Sequence, residues 1–493
     1  MSTSRATLTI SGILFAACCV GAAPSATGAE DRPNILLIVA DDQSPQDFQL
    51  YNPRSTLRTP VLDSLAARGV VVDNACHMGS FSGAVCNPSR HMIMTGRTLW
   101  NLPNAPQGRV RSPARIVDNT LPAVFRRAGY ATMRTCKRGN SYEGANRQFE
   151  FRRDETKRGG TAQSGSPWHA KQVLDFLEQR DRNEDRRPFL IYLGFSHPHD
   201  TRDGMPEFLK HYGAVNHTDR SNPPAMNPLQ PTLPENYLTQ HPFDITHGDV
   251  RDEVAVSGVW TNRDPATVRN EMGRQFACSE LIDQQIGRVL EQLRQQGELS
   301  RTIVIYTADH GMAIGRHGLM GKQNLYQHTW QVPFIAAGPQ IASGQRRAGN
   351  VYLLDLLSTL CDLTGVPVPE TNQGISMRSV LEGTAENIRE IMYGAYSGGS
   401  KPGIRCLREG DWKLITWQAP DRGVNEIQLF HLKSNPAELI PQHHHPDTTA
   451  LTGMKPDQDQ TNLAARPEHA VRLQRMQDLL LREMKQLGDP AAR

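Results

Sequence analysis

A chain of 493 residues, 38% hydrophobic and 21% charged, has room for one large globular domain and a smaller one. A net charge of +3 excludes a strong general bias toward polyanions and gives no reason to expect a nucleic acid partner. Of the eight cysteines, Cys18 and Cys19 are adjacent in the N-terminal apolar run and the other six are scattered, with no CxxC pair, which excludes a disulfide scaffold and a zinc site of that spacing. In chain order, Arg5, the apolar run LTISGILFAACCVGAA and the small residues SATGA ending at Ala29 read as a signal peptide over residues 1–29. That predicts export, to the periplasm or beyond the cell. The alternatives are a membrane anchor, for which the run is short and interrupted by glycine, and a lipid anchor at Cys18, where Phe15 replaces the usual leucine. No later segment is long and apolar enough to span a bilayer.

NILLIVA, Asn34 to Ala40, is a continuous apolar run that fits a strand buried on both faces, and it ends at Asp41-Asp42. TPVLDSLAARGVVVDNA reads as a short helix stopped at Gly69 and then a strand, and TLPAVFRRAGYATMRT repeats the pattern with Gly129 as the stop. SPWHAKQVLDFLEQR is an amphipathic helix started by Ser166 and Pro167, with Trp168, Val173, Phe176 and Leu177 toward the sheet. FLIYLGFSHPHD is a buried strand ending in His197 and His199. Residues 200–262 form a long Pro- and Asn-rich excursion. A long helix follows, with Val268, Met272, Phe276, Ile282, Ile286, Val289 and Leu293 on its apolar side. TIVIYTADHG is a strand running into Asp309-His310, and VPFIAAG is one more. LLDLLSTLCDL places Cys361 in the core.

Alternating helices and apolar strands predict an α/β domain with a large, mostly parallel sheet flanked by helices. In such sheets ligands collect at the carboxyl ends of strands, where Asp41-Asp42, His197/His199 and Asp309-His310 all stand. After Leu381 the texture changes. GIRCLREGDWKLITW and EIQLFHL read as antiparallel strands and PEHAVRLQRMQDLLLREMKQL as a terminal amphipathic helix. The expected division is a catalytic domain over 30–381 and a smaller α+β domain over 382–493. His443 to His445 in QHHHP reads as a surface loop rather than a metal site.

Adjacent carboxylates at a strand end repel each other, and burying them needs a cation. With Asp309 at a comparable position, the oxygen-rich set suits Ca²⁺ or Mg²⁺. CNPSRHMIMTG, Cys86 to Gly96, has the pattern Cys, any residue, Pro, Ser, Arg, four residues, then Thr-Gly. With NILLIVADD, TPVLDSLAARG, ADHGMAIGRHGLMGK and GDWKLI, it resembles the sulfatase family of the alkaline-phosphatase-like superfamily, in order along residues 33–420.

The resemblance implies that Cys86 is not used as a thiol. A formylglycine-generating maturation enzyme reads the Cys-x-Pro-x-Arg core and oxidises the side chain to 3-oxoalanine, formylglycine. As its hydrate, that residue offers one hydroxyl to attack sulfur and a second to expel sulfate. The resemblance also implies one Ca²⁺ held by Asp41, Asp42, residue 86, Asp309 and His310, with imidazole an unusual ligand for so hard a cation. Arg90 is expected to hold the formylglycine hydroxyl and Ser89 to support the turn. Lys137 and Lys322 are expected to bind sulfate. His199, rather than its alternative His197, is expected to contact sulfate and protonate the leaving oxygen. One departure stands out. Where the family carries a histidine shortly after the Lys137 position, this chain has Gly139 and Asn140, and Cys136 replaces a glycine. His77, His91 or His317 are the alternatives for that base.

The implied function is sulfate ester hydrolysis, on a sulfated saccharide. The other readings are a phosphonate monoester or phosphodiester hydrolase using the same aldehyde, and a non-catalytic glycan-binding relative. The basic stretch Arg147 to Arg158 is either a solvated loop or a glycan contact. The segments 98–118, 140–165 and 200–262 are expected to set substrate choice.

Overall fold

The computed structural model describes residues 1–2, 32–106, 113–158, 163–217, 219, 221–243, 259, 262–397, 403–420 and 423–492. The apolar run with Cys18 and Cys19 lies outside the described residues, as do parts of the segments 98–118, 140–165 and 200–262. Among the described residues, no helix is long and apolar enough to cross a membrane.

Eight strands form the central sheet: β1 (Asn34–Ala40), β2 (Val70–Val72), β3 (Ala131–Cys136), β4 (Phe151–Asp154), β5 (Phe189–Gly194), β6 (Thr302–Ala308), β7 (Phe334–Ala337) and β8 (Gln345–Arg347). Their order is β8-β2-β7-β6-β1-β5-β3-β4. Every pairing is parallel except those of β7, which runs antiparallel to β6 and β2. β1, β5 and β6 are buried along their whole length, as their unbroken apolar runs require of strands covered on both faces. They are also adjacent. Ala40 is opposite Ala308, so Asp41 and Asp309 leave the sheet side by side. The ladder continues past the strand ends: Asp309 N donates to Ala40 O at 3.1 Å and Asp41 N to His197 O at 3.2 Å. Three segments distant in sequence are thereby delivered to one rim.

Helices cover the sheet. α1 (Cys86–Thr95) is buried nearly throughout, and α2 (Gly165–Arg182) packs on α3 (Pro265–Gln295). The seven apolar residues expected on α3 are all buried. On α2, Val173, Phe176 and Leu177 are buried, but Trp168 is only half-buried. The helix begins at Gly165, and Trp168 sits in its first turn, edge-on to His169 at 5.0 Å, instead of reaching the sheet.

A second sheet is an antiparallel meander of β9 (Ile391–Tyr396), β10 (Gly403–Glu409), β11 (Trp412–Ala419) and β12 (Val424–His431). The short strand Gly79–Ser80 joins it parallel to β9, with Gly79 opposite Ala395. Glycine is required there: φ is +97° and a Cβ would lie 1.8 Å from Ala395 O. α4 (Ala470–Leu487) buries Met476, Leu479, Leu480 and Met484 in the core shared with that sheet. The run His443 to His445 is not a plain surface loop. The turn Pro441–His444 folds back so that His443 is buried, edge-on to His317 at 5.3 Å. All six cysteines of the described chain are free and buried, Cys361 among them.

Candidate active site

The Cys-x-Pro-x-Arg spacing makes sense on a helix. Cys86 is the first residue of α1, Pro88 lies in the first turn where its missing N–H costs nothing, and Arg90 stands one turn on from Cys86 on the same face. Cys86 Sγ is 0% exposed. His310 Nε2 lies 3.1 Å from it and Lys322 Nζ 3.4 Å. Arg90 donates from Nε to Asp309 Oδ2 at 2.9 Å, pairs through Nη2 with Asp41 Oδ2 at 3.3 Å, and donates from Nη1 to Cys136 Sγ. Ser89 Oγ donates to Asp309 O at 2.6 Å, tying α1 to the end of β6.

The carboxylates meet cations. Lys137, the residue after β3, pairs with Asp41 Oδ2. Lys322 Nζ donates to both oxygens of Asp42, at 2.9 and 3.2 Å, and lies 3.3 Å from His199 Nε2. His310 Nε2 is 3.2 Å from Asp42 Oδ1 and 3.5 Å from Asp309 Oδ1. His199 Nε2 stands 4.0 Å from Asp42 Oδ2, and its Nδ1 meets the Asp200 carboxylate and, at 3.0 Å, the Asp200 carbonyl. All the residues singled out in the sequence for catalysis or metal binding therefore share one buried cluster. Asp42 holds a φ of +70°, a left-handed conformation that re-aims the chain directly after β1.

Burial disfavours charge throughout this cluster, and the neighbouring charges decide the outcome at each group. Against burial, Lys137 and Arg90 hold the Asp41 carboxyl well below the ordinary range, and His199 and Lys322 do the same for Asp42. Asp309 is pushed up to about 6 by burial and by the charge of Asp41. Despite burial, Lys137 and Lys322 pull the Cys86 thiol well down. His310 rises to about 9 against its burial, driven first by Asp309; His199 rises to about 10, driven first by Asp42.

The donor set fits a hard divalent cation. One ligand atom each from Asp41, Cys86, Asp309 and His310 lies within 4.8 Å of the others, and the same is true of Asp41, Asp42, Cys86 and His199. Both oxygens of Asp41 are buried and accept no hydrogen bond; Lys137 and Arg90 both pair with Oδ2, leaving Oδ1 without a partner. A buried carboxylate with unused lone pairs beside two more carboxylates is the arrangement Ca²⁺ or Mg²⁺ satisfies.

Asn140 is exposed at a φ of +50°. None of the three alternative histidines contacts Cys86 or a carboxylate of the cluster. His77 uses both ring nitrogens on backbone, Nε2 with Thr329 O at 2.9 Å and Nδ1 with Gly79 N at 2.8 Å, and burial pushes it down to about 3. His91 bonds Asn87 O at 2.7 Å and lies against Tyr142. His317 stacks on Tyr326 with ring centres 3.7 Å apart. Two partners escaped the sequence reading. Asp200 holds His199, and its place directly after SHPH was the available signal. Gln275, on α3, donates to Asp42 O at 2.8 Å and had no signal beyond its helix. A cavity of about 670 Å³, lined by Tyr51, Arg58, Tyr212 and Arg316 among others, includes none of the clustered residues. It is linked to them through Arg316, Asp47 and Gln275.

A family model described as Sulfatase matches residues 33–366, and one described as N-sulphoglucosamine sulphohydrolase, C-terminal, matches residues 315–459. The chain is 25% identical over 475 residues to the choline-sulfatase of Rhizobium meliloti (strain 1021), covering 86% of each chain. It is 24% identical over 482 residues to the N-acetylglucosamine-6-O-sulfatase of Bacteroides thetaiotaomicron, covering 83% of this chain and 82% of that one. A solved structure in complex with its substrate D-glucosamine-2-N,6-O-disulfate matches at a TM-score of 0.66 and 21% identity, over 93% of this chain and 99% of that one. The phosphonate monoester hydrolase of Agrobacterium radiobacter matches at 0.67 and 18%, over 92% and 96%. Both structural likenesses speak to the fold.

Proposed function

The chain belongs to the sulfatase family, whose members hydrolyse sulfate esters, and from that premise we propose that it acts on a sulfated saccharide through formylglycine at residue 86 and one Ca²⁺. The observation that carries this reading is the meeting of Cys86, Asp41, Asp42, Asp309 and His310 within one buried cluster at the start of a helix. When present, the hydrated aldehyde supplies an oxygen nucleophile with a second hydroxyl on the same carbon, and the cation supplies Lewis-acid stabilisation.

The remaining steps fall to the chain's own side chains. Asp41, Asp42, Asp309 and His310 would hold the cation. Lys137 and Lys322, which pair with Asp41 and Asp42 here, would then be free to face the sulfuryl oxygens. Arg90, braced by Asp309 and Asp41, stands behind residue 86 and balances its developing charge. His199 presents Nε2 toward the nucleophile side, with Asp200 fixing its Nδ1, and donates a proton to the leaving alcohol oxygen. We further assign a maturation enzyme as the source of the aldehyde, residues 1–29 as an export signal to the periplasm or beyond, 30–381 as the catalytic domain and 382–493 as the smaller α+β domain.

The test is sulfate release from a panel of defined sulfated mono- and disaccharides by protein co-produced with a maturation enzyme, with phosphonate and phosphate esters alongside. Sulfate release that is lost in Cys86→Ala is expected, together with a tryptic peptide lighter by the difference between a thiol and an aldehyde. Cleavage of phosphonates with every sulfate untouched would move the chain to the other hydrolase reading. Full activity with an unmodified thiol would remove formylglycine from the mechanism.

A further inference from the structure

Arg158 differs from the other basic residues of the stretch Arg147 to Arg158 in having a buried Nε with no acceptor. Strand β4 pairs with β3 so that Asp154 is opposite Cys136, and Glu155 N continues the ladder onto Cys136 O at 3.0 Å. The segment beyond β4 therefore runs out past the carboxyl end of the sheet beside Lys137. Along the way several cations are matched, while Arg153, among the described residues, donates only to the Arg152 carbonyl, at 3.0 Å. Arg147 pairs with Glu143 at 3.0 Å, Arg152 with Glu143 at 2.8 Å and Asp154 at 2.6 Å, and Arg138 with Glu155 at 3.0 Å. Arg158 has no carboxylate partner among the described residues. Its Nη1 donates to the carbonyl of Asp200, and its Nε is buried with no acceptor. That same carbonyl lies 3.0 Å from His199 Nδ1. A chain of four contacts thus links the guanidinium to residue 86: Asp200 O, His199, Lys322 and Cys86 Sγ.

A half-buried guanidinium without a counter-charge is unfavourable unless an anion completes it. Its planar fork matches the paired oxygens of a carboxylate or sulfate. We propose that Arg158 is a specificity residue that binds a second oxyanion on the substrate, a uronate carboxylate or a second sulfate, while the scissile sulfate sits over residue 86. This rests on the sulfatase reading and narrows the substrate class to saccharides carrying two or more anionic groups. Arg158 does not touch the reacting atoms in this assignment; it selects and orients what carries them.

The experiment compares matured full-length wild type with Arg158→Gln on three kinds of substrate. These are neutral-ring monosulfated saccharides, their disulfated counterparts, and monosulfated disaccharides whose uronate is either free or methyl-esterified. Wild type should favour the doubly charged member of a pair by about tenfold or more in kcat/KM, the size of one charge-assisted hydrogen-bonded contact. In Arg158→Gln that ratio should collapse toward one through KM. The disulfated and uronate arms tell which oxyanion is bound. A wild type with no preference, or a variant that keeps it, overturns the proposal. Equal losses on all substrates with a lower melting temperature would make Arg158 only a fastener of the loop at Asp200. If the wild type releases sulfate from none of the panel, the sulfatase reading itself fails.

Discussion

Replacing Lys322 by methionine separates two jobs that its ammonium performs at different moments. Lys322 Nζ lies 2.9 Å from Asp42 Oδ1 and 3.4 Å from Cys86 Sγ, so on the proposed function it neutralises a carboxylate before the cation binds and faces the reacting group afterwards. At an effective dielectric near 20, a charge pair at 2.9 Å is worth about 6 kcal/mol of Coulomb energy, much of it offset by desolvation of both groups. The metal has to displace this ammonium, so its removal should tighten Ca²⁺ binding. Removing one fixed donor to a developing oxyanion costs about 3–4 kcal/mol, so kcat for sulfate release should fall by about 10²- to 10³-fold. Methionine keeps the length and volume of the side chain, which limits cavity effects. Calorimetric titration with Ca²⁺ and steady-state sulfate release on the same matured preparation read the two quantities. Opposite movements are required. A fall in both would mean that Lys322 supports the fold of the site, and a kcat within tenfold of wild type would remove it from contact with the transferred group.

Two further substitutions probe the same cluster. Asp309→Asn keeps the shape but removes one charged ligand and the partner of Arg90 Nε, so Ca²⁺ affinity and activity should fall together; turnover retained at saturating Ca²⁺ would take Asp309 out of the site. His199 is raised from its ordinary value to about 10, with Asp42 and the Asp200 hydrogen bond outweighing burial, so its proton stays on at neutral pH and is lost only as pH climbs toward that value. An acid of this kind gives kcat an alkaline limb. Asp200→Asn withdraws part of the support, lowers the pKa and should move that limb to lower pH; a limb that stays in place would show that His199 is not the proton donor.

The inner strands of the central sheet were readable because they are buried on both faces, and burial of that kind leaves unbroken apolar runs such as NILLIVA and TIVIYTA; the partly exposed edge strands β4 and β8 carry no such run. The rim followed from the same signal, since Asp41-Asp42 and Asp309-His310 directly end such runs. What escaped was set by tertiary contact rather than by local pattern. Trp168 has the right helical spacing but sits in the first turn, short of the sheet. His443 looks polar in sequence, yet a 3₁₀ turn carries it inward against His317. Asn140 stands in a motif position but is exposed, and no pattern in the chain tells which side of a turn its side chain takes. Arg158 belongs to a basic stretch that reads as a solvated loop or a glycan contact; its buried Nε without an acceptor sets it apart.

The two-residue strand at Gly79 has a bearing on timing. It clamps the approach to Cys86 against β9, a strand synthesised long afterwards, and in the finished fold Cys86 is 0% exposed. On the proposed chemistry, an enzyme that edits this side chain needs access that the completed protein denies. On that proposal, the editing would have to come before the late-arriving meander captures Gly79 and Ser80, and the order in which the chain emerges and folds would set what fraction of molecules becomes active.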